Sequence, residues 1–126
     1  MRMPIRKQIL LALEALNRRD FAALEDLFDP ETALDMPAGQ RVIGFSSMRD
    51  TLSTYLLRHE ARFANGVVMV DEAGLRGAVD GTLDGRARDG SPDGGRSGWF
   101  SLPCVLIFES EDDRFTRLSL YLSTPL

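Results

Sequence analysis

A single cysteine, Cys104, means that no disulfide can close within the chain, which fits a reducing compartment. A single histidine, His59, leaves too few soft ligands for a transition-metal centre. No apolar run approaches the ~20 residues needed to cross a bilayer, and Glu14 interrupts the apolar stretch of MRMPIRKQILLALEALNRR, which therefore reads as an amphipathic helix. A single lysine, Lys7, and a net charge of −4 leave no basic face for nucleic acid. The Gly-rich segment 85–98 lacks a Gly-Lys-Ser/Thr ending and lies between two strand-like stretches, so a hairpin loop is the plainer reading and a phosphate cradle the weaker one. No nucleophile-elbow string is present for Ser-His-Asp catalysis.

What the sequence does contain is one domain's worth of patterned chain. Its 126 residues are 44% hydrophobic and 27% charged, enough for a single core. Ile5, Ile9, Leu13 and Leu16 predict a helix over 4–18 with one buried stripe. Asp20 reads as the N-cap of a short second helix, FAALEDLF, ended by Asp29-Pro30. Ser47 with Asp50 resembles a capping box for a third helix that places Met48, Leu52, Tyr55 and Leu56 on one face and ends near His59. Beyond it the period becomes strand-like: ARFANGVVMV, GLRGAVDGTLDGRA, GWFSLPCVLIFES and RFTRLSLYLST, with turn chemistry between them. Helices first and antiparallel strands after predict an α+β fold, its helices packed on one face of a curved sheet.

The strings ALNRRDFAALEDLF, MPAGQ, VIGFSSMRDTL, VDGTLDGR, LPCVLIFES and RFTRLSLYL, in that order, resemble the SnoaL-like polyketide cyclases and the ketosteroid isomerases of the nuclear-transport-factor-2-like superfamily. The resemblance implies one domain over residues 1–126, a cone-shaped, mainly antiparallel sheet on three helices with an internal apolar pocket, and a homodimer through the outer sheet face. It implies a cofactor-independent cyclase, isomerase or hydrolase acting on a small hydrophobic molecule, or else a non-catalytic binder or interaction domain; the lone cysteine and the lack of a spanning run make the cytoplasm the expected compartment. The known catalytic casts are missing. The isomerase positions for an Asp base, an oxyanion Tyr and a protonated Asp fall at Met36, Ala12 and Cys104. The limonene epoxide hydrolase positions fall near Asp80, but at Ala78 and Leu120 for the other two.

The remaining polar candidates are Asp80, with Arg76 on the same strand face, His59 and Asp35. A carboxylate in an apolar cone is a suitable acid or base because desolvation raises its pKa. Asp80 is equally readable as a solvated outer-face residue. His59, beside Arg58 and Arg62, also reads as a cation at a helix C-terminus. Asp35 faces away from the pocket if Met36 faces into it, unless a one-residue bulge exchanges the two. Alternation and the resemblance together put Met36, Tyr55, Leu102, Cys104, Leu106, Leu118, Leu120 and Leu122 on the pocket wall, with Trp99 and Phe100 at its rim.

Overall fold

The apolar stripe of the first helix sets the layer arrangement. In the computed structural model, which describes residues 3–86, 98–124 and 126, α1 runs Ile5–Arg18 and buries Ile5, Ile9, Ala12, Ala15 and Leu16. Arg19 ends it in the left-handed conformation, with its guanidinium bonded to the carbonyls of Leu16 and Ala61. Asp20 caps α2 (Phe21–Glu25), accepting from the Ala23 N–H at 3.1 Å. This helix is shorter than the sequence predicts: Phe28 opens β1 (Phe28–Asp35), so Asp29-Pro30 lies inside a strand. Phe28 earns its place there by packing against Phe45, Phe108 and Phe115.

A turn over Met36–Gln40 leads to the short β2 (Arg41–Ile43), which the sequence pattern does not announce. Helix α3 (Phe45–Arg58) starts at Gly44 without a side-chain cap, so Ser47 and Asp50 lie within it and do not form its boundary; it ends at His59 as its pattern predicts. The four extended stretches become β3 (Arg62–Val70), β4 (Arg76–Arg86), β5 (Trp99–Glu111) and β6 (Arg114–Leu122). Most of the Gly-rich loop lies outside the described residues.

The six strands form one sheet in the order β2-β1-β6-β5-β4-β3. All pairs are antiparallel except β1 with β6, which run parallel. Helix α1 packs against β3 and β4, and α3 against β1 and β2. The inner face carries Leu34, Leu118, Leu120, Cys104, Leu106, Phe108 and Val79, all buried. Register carries the alternation across strands, with Val79 opposite Leu106 and Leu106 opposite Leu120.

Along the inner face of β4, glycine alternates with aliphatic residues: Gly77, Val79, Gly81, Leu83, Gly85. Each glycine marks a close approach. A Cβ at Gly77 would meet the Ile9 side chain of α1; one at Gly81 would lie 2.6 Å from the Ala64 carbonyl oxygen; one at Gly85 would lie 2.5 Å from the His59 carbonyl oxygen. Opposite Gly81, β3 carries an irregularity between Ala64 and Val67, with Asn65 in the left-handed conformation. Backbone yields less readily than a side-chain tip. Gly81→Ala should therefore lower stability by about 1–3 kcal/mol in urea unfolding, and by more than Gly77→Ala, whose neighbour is a movable Ile9 terminus.

Candidate functional site

A cavity of about 420 Å³ lies between α1 and the sheet, with Leu13, Val79, Gly81, Cys104 and Leu106 among its apolar lining. Asn17 of α1 forms part of the wall and ties it to the sheet: its amide donates to the Phe63 carbonyl at 2.9 Å and accepts from the Phe63 N–H at 2.8 Å. This pairing lets a helix side chain stand in for a strand neighbour beside the β3 irregularity.

One polar edge of the cavity is a cross-strand row, and Asn65, donating to the Thr82 hydroxyl at 3.2 Å, adds to the polar lining. Arg62 on β3 is opposite Asp84 on β4, and Asp84 is opposite Ser101 on β5. The Ser101 hydroxyl donates to the Asp84 carboxylate at 2.6 Å. Arg62 and Asp84 line both this cavity and a second, outer cleft of about 570 Å³ bounded by Glu60, Trp99, Phe100 and Leu102. They form the threshold between the two spaces.

The carboxylates selected from sequence lie elsewhere. Asp80 shares a strand face with Arg76 as alternation requires, but that face is the outer one. Asp80 is exposed, between Val67 and Val105 in register. The placement corrects the expectation of a cone-facing Asp80: its neighbours Val79 and Gly81 take the inner positions. Arg76 pairs with Glu109 at 3.0 Å, two rungs away from Asp80. Asp35 also faces outward, because Met36 takes the buried position and no bulge exchanges them. Its carboxylate accepts from Arg41 at 2.9 Å and from the Ser119 hydroxyl at 2.9 Å, with Arg117 at 3.6 Å. Arg117 continues to Glu109 at 2.9 Å, so an ionic ladder crosses the outer face from β2 to β4. The hydrogen bond from Arg41, then that from Ser119 and the nearby guanidinium charges, overcome desolvation and hold Asp35 down at about 2.

His59 is half-buried at the C-terminus of α3, edge-on to Tyr55 with ring centres 4.8 Å apart and 6.3 Å from Phe100. Burial, then the charge on Arg58, lowers its pKa. Of the proposed wall, Cys104 and Leu106 line the inner cavity and Leu102 the outer cleft. Met36, Tyr55, Leu118 and Leu120 belong to the packed core, and Leu122 lies partly buried against it. Burial pushes both the Tyr55 hydroxyl and the Cys104 thiol up to about 12, so both stay protonated. Sequence reasoning missed Asn17, Asp84 and Ser101. The available signal was VDGTLDGR itself, where Asp84 stands four residues beyond Asp80, close to the strand end.

A six-stranded sheet left open, with helices on one face and a cavity between, defines the cone-shaped α+β class of nuclear-transport-factor-2-like folds. The model of the SnoaL-like domain family matches residues 11–118, and the chain belongs to that family. A Xanthomonas campestris protein provisionally assigned as a polyketide cyclase has a similar structure, with 23% identity, a TM-score of 0.82 and coverage of 95% of this chain and 90% of the other. One from Pseudomonas putida KT2440, described in the same way, gives 22%, 0.80, 94% and 91%. A SnoaL-like relative from Jannaschia gives 15%, 0.78, 98% and 90%. Likeness at these identities carries the fold alone. No functionally curated protein matches the sequence. Among the described residues, no helix is long and apolar enough to cross a membrane, and no three His, Cys, Asp or Glu side chains are grouped to hold a metal ion.

The Asp35 carboxylate supports a linkage prediction. Its pKa is depressed in the folded chain, so its contribution is full above the ordinary value of 3.8 and is lost as pH falls towards about 2. Asp35→Asn should be less stable than the parent by about 1–3 kcal/mol at pH 7, because Arg117 and Ser119 lose a charged partner. Urea unfolding should show that gap narrowing between pH 4 and pH 2.

Proposed function

We propose that the chain binds a small hydrophobic metabolite in the inner cavity and acts on it in the cytoplasm, without a cofactor, as a cyclase, isomerase or hydrolase. The observation that carries the reading is the Arg62–Asp84–Ser101 row, which sets a carboxylate on the edge of a cavity that has Leu13, Val79, Cys104 and Leu106 in its wall and Asn17, Asn65 and Thr82 beside them. Asp84 is the acid–base group in this reading: its side chain has the outer-face parity of Asp80, but towards the end of β4 it borders the cavity. The Ser101 hydroxyl fixes the orientation of the carboxylate. Arg62, directly across the strand pair, supplies positive charge for an oxygen that becomes negative as a proton leaves an adjacent carbon. Membership of the SnoaL-like domain family supports this reading, and Leu13, Val79, Cys104 and Leu106 suit contact with an aliphatic or polycyclic body.

Asp84→Asn separates catalysis from binding. A panel of polycyclic ketones, followed by absorbance for turnover and by calorimetry for affinity, should show turnover falling at least 100-fold with affinity within about three-fold of the parent. Parent and variant that bind equally and turn over nothing would favour a second reading, a ligand carrier, which the absence of carboxylates from the buried layer Met36, Cys104, Leu118 and Leu120 supports.

The outer face supports a homodimer in this proposal. Two cross-strand rows, Val67–Asp80–Val105–Tyr121 and Met69–Ala78–Ile107–Ser119, present mostly apolar groups beside the ionic ladder. A second copy covering the same rows through a two-fold axis would remove Val67, Met69 and Tyr121 from water. Tyr121 is 51% exposed, so Tyr121→Glu should leave the fold intact and shift the sedimentation coefficient from dimer to monomer. An unchanged monomeric value for both proteins would remove the dimer from the account.

A further inference from the structure

Strand β5 runs past both spaces. Alternation puts Phe100, Leu102, Cys104 and Leu106 in one apolar line along it, with Phe100 and Leu102 in the outer cleft and Cys104 and Leu106 in the inner cavity. Arg62 and Asp84 border both spaces. The two ends differ in their other groups. The inner cavity adds Asn17, Asn65 and Thr82 and is the more polar end. Asn17 and Asn65 each spend one amide N–H, on the Phe63 carbonyl and the Thr82 hydroxyl, and each has a second to give. The outer cleft adds Glu60, Ser101 and Trp99, and with Phe100 and Leu102 it is the more apolar end. Trp99 is 59% exposed there, with the Arg86 guanidinium 5.4 Å from its ring centre. Phe100 is fixed from behind: its ring is edge-on to His59, and a Cβ at Gly85 would lie 2.7 Å from it. Two aromatic side chains flanked by the carboxylates of Glu60 and Asp84 suit a flat aromatic ring better than a saturated one. An aromatic ring stacks or meets edge-on with Trp99 and Phe100 and turns its positive edge to the carboxylates, whereas a saturated ring offers apolar area alone.

We propose that the outer cleft is a subsite for an aromatic ring appended to the ligand, whose carbonyl-bearing end lies in the inner cavity with the N–H groups of Asn17, Asn65 and Arg62. The proposal rests on the reading of the inner cavity as the ligand site. To that reading it adds a substrate class, an aryl-substituted ketone, and the residue that selects it, Trp99. The apolar line of β5 carries the linker between the two ends, past Asp84.

Trp99 is the single tryptophan of the chain, so its emission reports on this cleft directly. The test compares 4-phenyl-2-butanone, 4-cyclohexyl-2-butanone and 2-butanone by calorimetry, Trp99 fluorescence and backbone amide NMR. The phenyl ketone should bind about five-fold more tightly than the cyclohexyl ketone, change Trp99 emission and shift the Gly81 and Asn65 amides. The ringless ketone should shift those amides and leave Trp99 emission unmoved. Trp99→Leu keeps an apolar side chain at an exposed position. It should bring the phenyl ketone down to the affinity of the cyclohexyl ketone and leave the latter within about two-fold. A phenyl preference that survives Trp99→Leu would overturn the assignment to Trp99. Equal affinity for both rings, with Trp99 emission unmoved and the Gly81 amide still shifting, would overturn the aromatic subsite and leave the inner cavity standing. A change in Trp99 emission with the Gly81 and Asn65 amides unmoved would overturn the single ligand spanning both spaces. Binding of none of the three would overturn both readings.

Discussion

The fold depends on how closely three separate elements approach one strand. Gly77, Gly81 and Gly85 share the inner face of β4, and α1, the β3 irregularity and the end of α3 each come within contact distance of one of them. A side chain at Gly81 would collide with the backbone of Ala64 and Gly66, and Gly81 also lines the inner cavity. Close approach and cavity therefore meet at one residue. Val79 and Leu83, between the glycines, keep the strand anchored in the core.

The two faces of the sheet divide the work of the molecule. The inner face is apolar and meets the helices, while the outer face carries the ladder from Arg41 through Asp35, Arg117 and Glu109 to Arg76. The ladder ties β2, β1, β6, β5 and β4 together, and β1 and β6 lie parallel within it. Each carboxylate in it meets more than one donor, which suits half-buried ions better than single pairs do. A charge so engaged is held for structure. Among the described residues, Asp84 has a lighter engagement, one hydroxyl, and it stands at a cavity edge.

Much of this was legible in the chain. Helical spacing located α1 and α3, alternation located β3 to β6, and the resemblance located the cone. The errors share a cause: local pattern cannot report which side of a sheet the helices cover. Asp80 and Arg76 share a face as parity predicts, but only the packing of α1 against β3 and β4 decides that it is the outer face. Asp35 was correctly tied to the orientation of Met36, and its partners Arg117 and Ser119 are more than eighty residues away. Phe28 was assigned to a helix because it continues an apolar spacing, yet its aromatic partners lie on β5, β6 and α3. Asp84 was overlooked because its setting comes from the end of β4, where it lies opposite Arg62 and Ser101 across two strand pairs.

The central claim is that the space beneath Gly81 is where a hydrophobic ligand sits. Backbone amide NMR on the labelled chain, titrated with 1-decalone, tests it without reference to turnover. The account predicts that the largest shifts fall on Gly66, Gly81, Asp84 and Leu106, which surround the cavity. Shifts confined to Val67, Met69 and Tyr121 on the outer face, or no saturable shifts anywhere, would contradict it.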